Sequence, residues 1–437
     1  MSLNKSIYEE IIIESRDGKR TVDIAPGVIM LDYFEDIFSP TITARLVVVN
    51  TGNTIMGQDG KLQSIYHGLP LRGGERVSIK VGGNCDSNPG LDFASDETRY
   101  FYVSSITTIL QSTEQESFTL NLVSREAITN ETVRVGKKYP TSYKISDSVQ
   151  SIIKEKLKTS KPIFADETQN KYGFISNMRK PFTLLTWLAS KSVPSIAGGK
   201  DATAGYVFYE TKSGYHFRSI DKLIASDPFP EKYLYTEVKK MDVANDYKIL
   251  KYTTAKNEDL MEKLQRGAYC SQRTFFNPLD FTYTSPSDGK FQLKDYQSKT
   301  QNLGNDIQLP SLDDDSDKNL GEVASRNITA ILDIGAMEIG VSTDENADPA
   351  KVQSQSMMRY NSIFTQTISM TVPSNTNLEA GNLIECKFPK VNKDDTKGND
   401  LEQSGLYMIK ELCHHFDSTV SLTSMTLIKD TFGQPEN

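Results

Sequence analysis

Cysteine is scarce in this chain: Cys85, Cys270, Cys386 and Cys413 are the only four, and no pair has CxxC spacing. That argues against a disulfide framework or a zinc ribbon and for a reducing place of synthesis. Histidine is as thin, at 4 residues, and tryptophan occurs once. Long apolar runs are missing, since no stretch approaches the roughly 20 residues a membrane helix needs. Met1 to Lys5 leads into Ile11–Ile13 flanked by Glu10 and Glu14, which is not the pattern of a secretory signal. A positive excess is missing too. Lys and Arg number 49 against 57 Asp and Glu, a net charge of -8, which argues against gripping nucleic acid by broad charge neutralisation.

What is present is length and alternation. The 437 residues suggest about two to four domains. The first 130 residues read as strands. Tyr8–Glu14 and Arg20–Ile24 flank a hairpin signal at Asp17-Gly18, and Val28–Phe34 and Thr41–Asn50 follow. In Thr41–Asn50, Ile42, Ala44, Leu46 and Val48 share one face. Glu75–Val81 alternates with Val77, Ile79 and Val81 on one side, and Arg99–Leu110 and Ser117–Ser124 complete the run. From about Glu131 the period lengthens. Ser146 is placed to cap a helix carrying Val149, Ile152, Ile153 and Leu157, and Pro181 opens a second with Leu184, Leu185 and Leu188. Tyr206–Glu210 and Tyr215–Arg218 form a hairpin around Lys212-Ser213-Gly214. A helical piece lies near Asn257–Gln265. Residues 284–320, rich in Ser, Asp, Asn, Lys and Gly, read as a flexible or extended arm.

The chain also repeats itself. Leu71–Val81 matches Leu378–Phe388, so Val77, Ile79 and Val81 fall on Ile384, Cys386 and Phe388. Phe101, Val103 and Ile106 fall on Tyr407, Ile409 and Leu412, and Leu120 and Leu122 on Met425 and Leu427. Upstream, Ala44, Leu46 and Val48 fall on Ile368, Met370 and Val372. Any two antiparallel meanders share a period of two. The common order and the common glycine turn are what favour a duplication, each copy a small barrel or sandwich.

Residues with chemical potential do not assemble into a site. His414 and His415 point to opposite faces of a strand, so Cys413-His414-His415 is not a metal cluster. The run Asp313–Asp317 lacks the Gly and Glu of a calcium loop, with Lys318 and Ala324 in their places. Gly198-Gly199-Lys200 lacks the upstream Gly of a phosphate loop, where Pro194 stands, and has Asp201 where Ser or Thr belongs. Ser-x-x-Lys occurs twice, at Ser151–Lys154 and Ser219–Lys222. Lys154, Lys156, Lys158 and Lys161 read as a solvated helix face, and Trp187 as core. The residues favour a binding or structural protein over an enzyme, with no cofactor and no metal. A peptidoglycan hydrolase in 131–225, the enzyme alternative, would need a carboxylate pair in a sugar-sized cleft.

Five segments carry a family resemblance: Asp32–Ala44, Pro181–Ser190, Gly205–Thr211, Asn277–Phe281 and Leu427–Gly433. In this order they resemble the baseplate hub protein of contractile-tailed bacteriophages. The N-terminal half of type VI secretion spike proteins is similar in architecture, and the alternative is a hub of a type VI or extracellular injection machine. This chain lacks a long repetitive β-helix, which implies a spike on a separate polypeptide.

The resemblance implies a mainly β fold with an α+β insertion, and two tube-like antiparallel barrels per chain. The expected division is a first barrel at 1–130 and the insertion at 131–225. Short β segments at 226–283, an arm at 284–355 and the rest of a second barrel at 356–437 follow. It further implies a homotrimer whose 3 × 2 barrels form a pseudo-sixfold ring between a hexameric tail tube and a trimeric central spike. Implied partners are the spike, the tail tube or its initiator, the tape-measure protein and the wedge proteins. DNA would pass through an acidic lumen without specific binding. The place is the virion baseplate, after synthesis in the host cytoplasm. The interface expectation falls on Leu46, Val48, Val77, Ile79, Val103 and Leu120, and on Ile368, Met370, Ile384, Ile409, Met425 and Leu427.

Overall fold

A computed structural model describes residues 4–52, 55–56, 60–112, 115–195, 203–235, 247–297, 300–311, 318–333, 349–390 and 399–433. Alternating apolar residues make strands with one buried face. In the first 130 residues these are β1 (Tyr8–Glu14), β2 (Val28–Asp36), β3 (Thr43–Thr51), β4 (Arg76–Cys85), β5 (Phe101–Gln111) and β6 (Gln115–Ser124). They pair antiparallel in the order β2-β3-β6-β5-β4-β1. The inward faces of all six meet in one core that includes Ile11, Leu31, Leu46, Val77, Phe101 and Leu120. One core shared by every strand means that the sheet curls on itself like a barrel.

The inserted unit carries α1 (Ile145–Ile152), α2 (Pro181–Ala189), β7 (Tyr206–Thr211) and β8 (Gly214–Ser219). Pro181 sits in the first turn of α2, where its missing N–H is not needed. Leu184, Leu185 and Leu188 are fully buried. Three expectations are corrected here. Lys144, not Ser146, occupies the cap position of α1, and it makes no side-chain cap bond. Ser146 is buried inside the helix, its N–H donating to Thr168 Oγ1 at 3.1 Å. Trp187 lies half-buried at the core's rim, edge-on to Tyr172 and Phe174, with the Arg179 and Lys191 cations over its ring. Lys161 is buried rather than solvated: its Nζ lies 2.9 Å from Glu126 and 2.6 Å from Glu210. The chain turns inward just after α1, at Lys158 with φ of +51°, and that turn carries Lys161 off the helix face.

The second curled sheet begins with β9 (Lys232–Tyr235) and β10 (Lys251–Asn257). A small unit follows, with α3 (Leu260–Arg266), β11 (Cys270–Phe276), β12 (Arg326–Ile331) and α4 (Pro349–Ser362). Then come β13 (Gln366–Pro373), β14 (Leu383–Lys387), β15 (Gly405–Asp417) and β16 (Ser421–Lys429). The order β10-β13-β16-β15-β14-β9 repeats that of the first sheet. One difference is that β9 runs parallel to β14, whereas β1 runs antiparallel to β4. Within 284–320, Phe291, Leu293 and Leu303 are buried, and a short strand, Lys290–Gln292, pairs with β11. Asp313–Asp317 and Gly198-Gly199-Lys200 lie outside the described residues. The fold is mainly β, and among the described residues no helix is long and apolar enough to cross a membrane.

Candidate functional site: the joint between the two sheets

The two sheets agree residue by residue. Val77 faces Phe101 across β4–β5, and Ile384 faces Tyr407 across β14–β15. Leu122 faces Val103, and Leu427 faces Ile409. Leu46 faces Leu120, and Met370 faces Met425. Each copy has a bulge one residue beyond Val103 or Ile409. The turns match too. Gly74 (φ +90°) donates its N–H to Val103 O at 2.7 Å, and Gly381 (φ +92°) donates to Ile409 O at 2.8 Å. Both sit in the left-handed region, where glycine carries no Cβ penalty. Glu75 Oε1 accepts from Arg72 N and Asn382 Oδ1 from Glu379 N, each at 2.8 Å. The repeat in the sequence is a repeat in the backbone.

The copies are joined by a strand that outruns its own sheet. The C-terminal half of β15, Glu411–Asp417, pairs antiparallel with Met30–Asp36 of β2. Around this seam lies a buried polar cluster. Glu35 is fully buried and accepts from Tyr33 Oη (2.8 Å), Lys212 N (2.7 Å) and Ala380 N (2.8 Å). Lys212 is at the tip of the β7–β8 hairpin, so one carboxylate gathers the first sheet, the insertion and the second sheet. Glu379, beside it, accepts from Thr211 Oγ1 at 2.8 Å. Burial, and then the Glu379 charge, push Glu35 up to about 7 against the pull of the two backbone donors. His415 Nδ1 lies 2.6 Å from Asp32 Oδ1. His414, on the opposite face, is buried and stacks on Tyr33, and burial pushes it down to about 3, so it is neutral.

A pH prediction follows. A carboxyl raised in the folded state contributes stability that is full below its unfolded value and is lost as pH rises through the folded one. The stability difference between the wild type and Glu35→Gln should therefore shift against the wild type between about pH 4.5 and 7, by on the order of 3 kcal/mol. Paired urea melts across that window measure it; a pH-independent difference would refute the assignment.

The repeat also exposes two edges without a neighbour. The counterpart of Glu411–Asp417 in the first sheet is Ser105–Gln111 of β5, and the counterpart of β2 is β10. Among the described residues no strand pairs with the free side of either. Ile109 is 41% and Leu110 65% exposed, whereas Leu412, His414 and Phe416, on the paired stretch of β15, are buried. Unpaired backbone beside exposed apolar side chains is the signature of a pairing edge.

The twelve residues expected at an interface have their side chains in the two cores. Leu46, Val48, Val77, Ile79, Val103 and Leu120 are in the first core, and Ile368, Met370, Ile384, Ile409, Met425 and Leu427 in the second. Their side chains hold the sheets in shape, and the free backbone edges belong to β5 and β10. Sequence reasoning did not single out Glu35, Lys212 or Glu379. The local signal was that Glu35 follows Leu31 and Tyr33 at alternate positions of β2, on the face the core takes.

No protein-family model matches this sequence, and no curated protein matches it significantly. Solved structures do resemble it. The tail protein from Neisseria meningitidis MC58 aligns with a TM-score of 0.54 at 9% identity, over 96% of this chain and 97% of that one. The 43 kDa tail protein of prophage MuSo2 from Shewanella oneidensis aligns with a TM-score of 0.52 at 10% identity, over 97% and 100%. At such identities the likeness is one of fold, and the fold is that of these tail proteins.

Proposed function

We propose that this chain is a structural hub of a phage tail baseplate, without catalysis, and that three copies close a ring through their free edges. The observation that carries this reading is the register. Transferring the β15–β2 pairing through both repeats sets β5 of one copy antiparallel to β10 of the next. Thr107 then faces Lys256, Leu110 faces Thr253 and Gln111 faces Tyr252. Relative to its counterpart, β5 carries one extra residue between Thr107 and Leu110, and β10 carries one, Ala255. These irregularities fall opposite each other, Thr108 against Ala255 and Ile109 against Thr254, so the new ladder runs without a break. Independent bulges on two unrelated edges have no reason to cancel.

Three chains with two sheets each then give a ring of six similar units with threefold symmetry. Such a ring meets a hexameric tube on one face and a trimeric spike on the other, the insertion braces each joint from outside, and DNA slides through an acidic lumen. The tail tube or its initiator, a separate central spike, the tape-measure protein and the wedge proteins are its partners in the virion. In this reading the chain divides into the first sheet, the insertion, the small unit and the second sheet.

The test is a cross-link. Leu110→Cys with Thr253→Cys in one chain should give a covalent trimer under mild oxidation, because directly opposed strand residues bring Cα atoms within disulfide reach. Leu110→Cys with Thr254→Cys, one residue out of register, should cross-link poorly, since the two side chains take opposite faces. Monomers or head-to-head dimers from the first pair would refute the ring.

A further inference from the structure

The small unit holds a positive charge that nothing among the described residues balances. Arg273, on β11, is 3% exposed. Its Nη1 donates to Gln353 Oε1 at 3.2 Å, its Nη2 rests 3.5 Å from Met357 Sδ, and its Nε is buried without a partner. No carboxylate pairs with Arg273 or with Arg326 among the described residues. Burial and the neighbouring Arg326 both pull the Arg273 guanidinium below its ordinary range. Arg266, at the end of α3, completes the trio and is only partly engaged, by Glu262 at 2.7 Å. All three arginines line one cavity of about 560 Å³ under α4.

A buried guanidinium without a counter-charge is costly, and proteins ordinarily pair it or leave it for a ligand. The planar fork of arginine matches a carboxylate through two parallel bonds. The cavity does not stop at the arginines. Through Tyr360 and Asn361 it adjoins a second, mainly apolar space of about 580 Å³ lined by Phe38, Phe208 and Phe364. The two lysines of that second space, Lys256 and Lys263, are already paired with Glu262 and Glu258. A polyanion would therefore find two arginines without a carboxylate partner among the described residues and then an apolar wall. A polypeptide segment with a carboxylate beside an aromatic or aliphatic side chain would fill both.

We propose that this paired cavity is a docking site for a carboxylate-bearing, apolar polypeptide segment of a partner protein, with Arg273 and Arg326 as the carboxylate fork. The arginine end of this cavity is separate from the strand edges of the ring, whereas Lys256 in the second space lies on one of them.

N-acetylphenylalanine, its neutral amide and inorganic phosphate serve as probes on the full chain at low ionic strength, by calorimetry and thermal shift. The acid should bind and raise the melting temperature, and the amide should bind at least tenfold more weakly. Arg326→Gln, at an exposed residue whose loss leaves the core intact, should weaken the acid at least tenfold, and Arg273→Gln more. Equal binding of acid and amide, binding of phosphate alone, or acid binding unchanged in Arg326→Gln would each overturn the proposal, as would no binding of any probe.

Discussion

Leu110→Asp should leave the single chain folded and abolish the ring. In the isolated chain Leu110 is 65% exposed, so an aspartate there costs the fold almost nothing, and the circular-dichroism melt of the monomer should match the wild type. In the ring the same carboxylate is drawn from water against Thr253, whose single hydroxyl cannot replace its hydration. A buried polar group without a partner costs about 1–3 kcal/mol, and closing a trimer incurs that cost three times. Even at roughly 1 kcal/mol per joint, the total lowers the association constant by more than about 100-fold. Mass photometry or analytical ultracentrifugation should show monomers where the wild type shows trimers. Thr253→Lys in the same chain places an ammonium opposite the new carboxylate and should bring the trimer back. Rescue by the opposite charge at one predicted position, and not at Thr254, is a result that general surface stickiness does not produce. A Leu110→Asp chain that trimerises like the wild type would remove the edge pairing, and the adaptor mechanism with it.

The parts of this arrangement that were legible in the sequence are those set by local periodicity. Val77, Ile79 and Val81 alternate because their strand has one dry face, and the same reason puts Ile384, Cys386 and Phe388 at matching places. Gly74 and Gly381 stand out because a left-handed turn admits little else. What stayed hidden depends on partners far along the chain. Glu35 has its role only because Lys212 N and Ala380 N arrive from 177 and 345 residues away. Lys161 looks like one more lysine of a wet helix until Glu126 and Glu210 close on it. The interface expectation chose apolar residues, and apolar alternation on a curled sheet points inward. The property that marks a pairing edge is an unbonded backbone, which no residue type announces.

Arg359→Met should be the most damaging single change to the fold. Arg359, on α4, is 2% exposed and reaches two carboxylates that are themselves buried. Its Nη1 lies 3.3 Å from Asp430 at the end of β16, and its Nη2 meets Asp221 in the short helix Ile220–Ile224 after β8. The guanidinium thus ties the insertion to the second sheet. Methionine fills much of the same space, so the loss is electrical: two carboxylates remain in a dry site without their cation. Breaking a buried pair in this way costs about 3–5 kcal/mol, a large share of the 5–15 kcal/mol typical of a folded domain. The pH dependence has a definite sign. Burial already holds Asp430 above its ordinary range against the pull of Arg359, and without Arg359 it rises further. A carboxyl raised in the folded state destabilises as it ionises, so the deficit of the variant should be larger at pH 7 than at pH 4.5. Adding Asp221→Asn and Asp430→Asn to Arg359→Met should recover most of the loss, because no buried charge is then left uncompensated. Denaturant melts at the two pH values measure both effects, and hydrogen exchange should show the insertion opening ahead of the second sheet. A single variant that melts with the wild type at pH 7 would mean that the triad adds nothing to the attachment of the insertion.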